Sequence, residues 1–144
     1  MRHAALLTAM VLTSAACSAV DAERPVEITL ERPFTLAVGG AAVLASQAVR
    51  VGFDRVLSDS RCPQGEQCIV AGDAVVQVWW QVGTQPRQWL ALHTLPAAGA
   101  APIQGLTLTL AALAPPQVSG RTIDPAAYRA TLLLGTAAVG TSDR

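Results

Sequence analysis

The chain has 144 residues, of which 51% are hydrophobic and 14% are charged, and its formal net charge at pH 7 is zero. This composition excludes a disordered chain, and the neutral balance predicts no attraction to nucleic acid or to anionic lipid. The length fits one domain once a leader has been removed. After that leader, no apolar run is long enough to span a bilayer.

Residues 1–22 have the pattern of a secretory signal peptide with a short tether. Arg2 supplies the positive charge, an apolar segment follows at residues 4–12, and small residues come next. Two cleavage sites remain open. The stretch L-T-S-A-A-C-S around Cys17 resembles the leaders of bacterial lipoproteins, which are cut before a cysteine that then carries lipid. An ordinary small-residue cleavage site precedes Glu23.

The three cysteines fit either cleavage site. Cys17 is lipidated or is removed with the leader, and in both cases Cys62 and Cys68 remain to form a disulfide in an oxidising compartment. Lipidation of Cys17 is the preferred prediction. By resemblance to proteobacterial lipoproteins, Ser18 after that cysteine implies the outer membrane, so we expect a lipid-anchored periplasmic protein. The alternative is a soluble periplasmic or secreted protein.

The rest of the chain has strand patterns and no convincing helix. Apolar residues alternate with polar ones in short segments that Gly and Pro separate, which is typical of half-buried strands. We therefore predict one all-β domain over residues 23–138, an antiparallel sandwich or small barrel of about seven or eight strands, followed by a frayed tail at 139–144. The predicted strands are 26–31, 34–38, 48–57, 74–82, 88–94, 106–112 and 128–134, and residues 41–46 form either a short strand or one helical turn.

The strongest alternating pattern continues through a turn into a partner strand. Pairing Val82 with Gln88 makes Trp79 and Trp89 diagonal neighbours on the outer face, within aromatic reach of each other. Such an aromatic patch is a candidate surface for a sugar ring or a partner protein. The alternative is that the segment 95–105, predicted to be a loop, folds over both rings as a small second core.

The stretch S-D-S-R-C-P-Q-G-E-Q-C-I-V-A-G-D concentrates charge, Pro, Gly and Cys between two predicted strands. A slip in the alternation at residues 55–57, just before it, predicts a β-bulge. Pro63 suits the second position of a turn, and Gly65 can adopt a positive φ angle. The ring that Cys62 and Cys68 close is therefore easy to form, and it stabilises the fold by roughly 2 kcal/mol.

This disulfide-pinned loop, residues 58–73, has two interpretations. It is a rigid connector between strands, or it is a preformed binding or inhibitory loop. The second interpretation names as candidate binding residues Asp59, Arg61, Pro63, Gly65 and Glu66. Among these, the first two are close enough in sequence to pair, or to bond backbone groups of the loop.

The segment F-D-R-V-L-S-D-S-R-C-P-Q-G-E-Q-C-I-V-A-G-D-A, residues 53–74, resembles a group of uncharacterised small exported bacterial proteins. Many of them have lipoprotein leaders, and they share the core D-S-R-C-P-x-x-x-x-C-x-x-A-G. Where these proteins often have Trp, this chain has Val70. The resemblance implies a shared fold and an exported location, and it implies no activity.

Residues that could support catalysis are scarce. Outside the leader His93 is the one histidine, and no G-x-S-x-G motif accompanies it, so neither a metal site nor a Ser-His-Asp triad is predicted. Asp59, Glu66 and Asp73 fit solvated or structural roles better than they fit a cation site. We therefore predict no enzyme activity and no cofactor.

The predicted function is that of a non-catalytic envelope domain, a binding or structural module. Its expected partners are the membrane, through the lipid at Cys17, and an envelope protein or glycan. The alternative is a secreted inhibitor that presents the Cys62–Cys68 loop to an enzyme.

Overall fold

The computed structural model describes residues 24–137. The predicted signal peptide, its two cleavage sites, Cys17 and the predicted tail at 139–144 lie outside these residues. Within them the chain forms nine strands, which are β1 (Val26–Glu27), β2 (Pro33–Ala37), β3 (Ala41–Leu44), β4 (Val49–Asp59), β5 (Ala74–Val82), β6 (Gln88–His93), β7 (Ala100–Ile103), β8 (Leu106–Ala114) and β9 (Arg129–Thr136).

The helical content of the described chain is three short 3₁₀ turns. They lie at Ala45–Gln47, Pro96–Ala98 and Pro125–Ala127. Between residues 24 and 137 there is accordingly no helix with the length and apolar character needed to cross a membrane.

The strands form two sheets, which confirms the all-β prediction. The first sheet has five strands in the order β1-β3-β4-β5-β6, and the second has four in the order β2-β9-β8-β7. All neighbours are antiparallel except β1 and β3, which are parallel. Buried residues of both sheets form one hydrophobic cluster, so the two sheets share a core.

The alternation seen in the sequence correctly identifies the inward faces of the main strands. Because successive side chains of a strand point to opposite sides, every second residue reaches the core. Burying a large side chain of this kind contributes about 1.5–3 kcal/mol relative to exposure. The largest fully buried side chains are Phe53, Leu92, Ile103, Leu108, Leu132, Leu134, Val49, Val51, Val76 and Val78.

Three local features of the amino-terminal half refine the predicted strands. The predicted strand at 26–31 is shorter in the structure: Val26 is half exposed, and the chain turns at Glu31, whose φ is 60°. Residues 41–46 form both a strand and the start of a 3₁₀ turn. The predicted bulge is confirmed, since β4 shifts register between Phe53 and Arg55 and again between Val56 and Ser58.

The segment 95–105 is not the predicted loop. After a 3₁₀ turn it forms β7, an edge strand of the second sheet that pairs with β8. The segment is rich in Ala and includes Pro102, so it lacks the apolar-polar alternation by which a strand is recognised.

The predicted register of the β5–β6 hairpin is wrong by two residues. Trp80 rather than Val82 pairs with Gln88, which sets Trp79 directly opposite Trp89. A two-residue shift leaves every side chain on its predicted face. The pairing ends at Trp80 because Gln81 and Val82 form hydrogen bonds within the turn. The Gln81 side chain donates to the Gln85 carbonyl at 2.6 Å, and the Gln85 amide donates to the Val82 carbonyl at 3.0 Å.

Candidate functional site

The disulfide-pinned loop leaves the end of β4 and returns to the start of β5. Cys62 and Cys68 form the predicted disulfide, with 6.0 Å between their Cα atoms. Inside the ring the Glu66 amide donates to the Pro63 carbonyl at 3.2 Å, and Gly65 has a φ of 84°. That angle favours glycine and confirms the positive φ predicted for Gly65. Pro63 is at the first position of this turn and not at the predicted second one.

The first strut at the base of the loop is an ion pair that joins the two sheets. Arg61 holds Asp59 through Nε to Oδ1 at 2.8 Å and Nη2 to Oδ2 at 2.6 Å, and the Tyr128 hydroxyl donates to Oδ2 at 3.0 Å. The same guanidinium donates to the carbonyls of Leu113, at 2.6 Å, and Pro115, at 2.8 Å. Because these partners come from β8 and from segments flanking β8 and β9, the strut fixes the loop to the second sheet.

Burial and hydrogen bonding act in opposite directions on the Asp59 carboxyl. Its side chain is only 5% exposed, and burial alone would raise its pKa. The hydrogen bonds from Arg61 and Tyr128 outweigh burial, and the pKa of Asp59 is lowered. Burial and the adjacent carboxylate raise the pKa of the Tyr128 phenol. Asp59 and Arg61 therefore form a charged pair at neutral pH, and their hydrogen bonds are used within the fold.

The second strut lies at the other end of the loop. The Ser60 amide donates to the Asp73 carbonyl at 2.7 Å, which extends the β4–β5 pairing into the loop. The Asp73 carboxylate contacts His93 Nδ1 at 2.5 Å and accepts from Thr94 Oγ1 at 3.0 Å and from the Leu95 amide at 3.2 Å. Although burial opposes the effect, these hydrogen bonds lower the pKa of the Asp73 carboxyl.

Sequence reasoning did not predict this second strut. Asp73 precedes β5 and His93 ends β6, and these positions come together because the two strands form one hairpin. The predicted hairpin was the signal from which their contact could have been found.

The loop base also requires a glycine. A Cβ atom on Gly72 would lie 1.6 Å from the Ser60 carbonyl oxygen, which is far inside van der Waals contact. Only a residue without a side chain lets the two ends of the loop approach this closely. Gly72 follows Ala71 just before the loop reaches Asp73.

The tip of the loop, residues 64–70, is exposed throughout. It carries Ile69, at 103% of its reference exposure, and Val70, at 76%. The Gln64 amide donates to the Gln117 carbonyl at 2.9 Å, so the tip also rests on the segment after β8. Neither apolar residue was among the predicted binding residues, although an Ile-Val pair in a loop too short for a strand was visible in the sequence.

The structure does not form the exposed aromatic pair predicted at Trp79 and Trp89. Trp79 is only 6% exposed because its ring lies against Gly52, where a Cβ atom would be 2.1 Å from the ring. The Arg87 guanidinium covers the same ring at 3.9 Å from its centroid, a cation–π contact. Trp89 alone is exposed, at 52%. One accessible ring remains where two had been predicted.

A cleft of about 430 Å³ lies beside the first strut. Asp59 and Tyr128 line it, together with Gln117, Arg121 and Ile123 from the segment between β8 and β9. Residues 24–137 include no group of three or more His, Cys, Asp or Glu side chains that could hold a metal ion.

No comparison with known proteins indicates a function for this chain. A scan against protein-family models finds no match to this chain, and searches of curated proteins and of solved structures also find none. A fold by itself does not identify an activity, because unrelated functions occur on the same architecture.

Proposed function

We propose that this chain is an exported, non-catalytic binding module and that it recognises a partner protein with the tip of the disulfide-pinned loop. The observation that supports the proposal is the exposure of Ile69 and Val70 on a loop that is held at both ends. Exposed apolar side chains on an ordered loop bind with little further loss of conformational entropy. The partner that fits this tip is a protein with a shallow apolar pocket.

The proposed location is the cell envelope. A disulfide persists in an oxidising compartment, which agrees with export. The signal pattern at residues 1–22 and the lipobox around Cys17 support a lipid tether to the outer membrane, with the loop facing the periplasm. Cleavage before Glu23 would instead release a soluble periplasmic or secreted protein.

The tip is a better candidate surface than the tryptophans. Trp79 is in contact with Gly52 and Arg87 and is only 6% exposed, so it offers little surface to a sugar ring. Trp89 by itself provides one stacking position. We therefore favour a protein partner over a glycan.

The same loop supports the inhibitor alternative. Residues 64–70 are exposed, and a loop held by a disulfide and two struts suits insertion into an enzyme cleft. Under this alternative the partner is an enzyme whose turnover falls when the loop binds. The simple binding module leaves the partner's activity unchanged.

The proposal is tested by crosslinking and pull-down from intact cells with a pair of matched variants. The variant Ile69→Ser with Val70→Ser removes the apolar tip, and the control Val26→Ser with Leu95→Ser alters two exposed apolar residues elsewhere. Losing the burial of even one such side chain costs about 1.5–3 kcal/mol, so we expect recovery of the partner to fall roughly tenfold or more in the tip variant alone.

Equal recovery by the tip variant and the control would refute the loop as the binding surface. If the recovered partner is an enzyme, its turnover with and without this protein separates the inhibitor from the simple binding module.

A further inference from the structure

A separate interaction surface lies along β6, at the edge of the first sheet. We propose that this edge pairs with β6 of a second copy of the chain, antiparallel about a twofold axis at Leu90. The proposal does not depend on the pinned loop or on its partner.

Among residues 24–137, the outward backbone amides and carbonyls of Trp89 and Ala91 in β6 have no hydrogen-bond partner. The strand pairs with β5 alone in the sheet order. The Thr94 amide donates to the Ala74 carbonyl at 2.9 Å, and bonded and non-bonded pairs alternate along an antiparallel ladder. Leu90 and Leu92 therefore bond to β5, whereas Trp89 and Ala91 direct their amides and carbonyls away from it.

The other sheet edges are less suited to such pairing. Just before β7, the Gly99 carbonyl accepts from the Leu110 amide of β8 at 2.7 Å, and the same alternation places Pro102 of β7 in an outward position. Proline has no amide hydrogen, so it blocks that edge. Strand β1 has only two residues, and β2 begins at Pro33. Strand β6, Q-W-L-A-L-H, has no proline and no Asp, Glu, Lys or Arg.

The twofold axis at Leu90 makes β6 complementary to itself. It pairs Trp89 of each chain with Ala91 of the other. Each of these two pairs exchanges two hydrogen bonds, so about four form between the chains. The exposed indole of Trp89 then lies beside a methyl group, which leaves room for the ring. Leu90, which is partly buried at the edge of the core, meets its own copy across the axis.

The same register also matches charges. Arg87 precedes β6 and comes opposite His93 of the second copy. In each chain the Arg87 guanidinium lies over Trp79 and His93 is bonded to the Asp73 carboxylate, so this register places a cation of one chain near an anion of the other. No pair of like charges is brought together within β6 itself.

Sedimentation of the purified exported chain over a range of concentrations tests the proposal, with Ala91→Pro as the first variant. Proline at residue 91 removes an outward amide and leaves the β5–β6 ladder intact. The wild type is expected to dimerise, and the variant to dissociate roughly 30-fold more readily, because about half of the interchain hydrogen bonds are lost. Circular dichroism checks that the variant is folded, and Ala91→Asp replaces it if it is not.

Engineered cysteines test the register. Leu90→Cys places two thiols on the axis, and we expect a linked dimer that mass spectrometry identifies by its 90–90 peptide. Gln88→Cys is the matched control, because its two copies would be separated by about four residues along the strands, roughly 13 Å. A wild type that stays monomeric, a dimer that Ala91→Pro leaves intact, or equal linkage by both cysteine variants would each overturn the proposal. So would capture of a different protein along this edge in place of a second copy.

Discussion

The base and the tip of the pinned loop are built from opposite kinds of residues. At the base, Asp59 and Arg61 are largely enclosed and Asp73 is partly buried, and these charged residues bond to other side chains or to the backbone. At the tip, Ile69 and Val70 are apolar and face solvent. Proteins usually bury apolar residues and expose charged ones. The reversal indicates that the base fixes the conformation of the loop and leaves the tip available to a partner.

Breaking the first strut should have the largest effect on stability. Arg61→Ala leaves the Asp59 carboxylate buried without its ion partner and removes donors from two carbonyls. Loss of one partner from such a pair costs about 3–5 kcal/mol, measured as the free energy of unfolding in urea. The control Arg55→Ala removes an arginine of the preceding strand β4 whose side chain is 66% exposed, and it should cost less than about 1 kcal/mol. Similar losses in both variants would contradict the role of the strut.

Removing the disulfide should have the next largest effect. Cys62→Ser with Cys68→Ser should lower the free energy of unfolding by roughly 2 kcal/mol, because the ring is small and constrains little of the unfolded chain. The two sheets should remain, since neither cysteine belongs to the core. Hydrogen exchange of the strand amides checks this. Loss of protection throughout β4 and β5 would contradict this, because it would mean that the disulfide supports the whole domain and not the pinned loop alone.

Lowering the pH should weaken the hydrogen bonds at the base of the pinned loop before it affects the tip. The pKa of Asp59 is lowered in the folded state, so its contribution to stability is present above the unfolded value of about 3.9 and is lost as pH falls below it. We expect the free energy of unfolding to decrease in that window for the wild type. In Asp59→Asn the decrease should be smaller, with Asp73 accounting for part of what remains. An unchanged pH dependence in this variant would contradict the assignment.

Changing the tip should have the smallest effect on stability. Ile69→Ser with Val70→Ser should leave the free energy of unfolding within about 0.5 kcal/mol of the wild type, because neither side chain is buried. The control Val76→Ala removes methyl groups from the fully buried β5 face and should cost about 2 kcal/mol. A large loss in the tip variant would mean that Ile69 and Val70 support the fold.

The sequence predicts strands where an alternating pattern is long enough, as in β5, β8 and β9. It fails for β7, where Ala and Pro102 hide the alternation. It also fails for the register of the β5–β6 hairpin, since a side-chain bond from Gln81 decides where the turn closes. Neither the presence of β7 nor the register of this hairpin is determined by the local apolar pattern.

The site was predictable only where its partners are close in sequence. Cysteine parity gives the disulfide, and nearness in sequence suggests the Asp59–Arg61 pair. The remaining partners of this strut, Leu113, Pro115 and Tyr128, lie more than fifty residues away, in β8 or directly beside β8 and β9. Only the packing of the two sheets brings them to the loop.

The most direct test of the account is site-specific photocrosslinking in intact cells. A photoreactive residue at position 70, in place of Val70, is compared with the same residue at position 26, in place of Val26, which is also exposed. We predict a discrete crosslinked protein at position 70 and none at position 26. The same products at both positions, or none at position 70, would contradict the proposal that the tip of the pinned loop is the recognition surface.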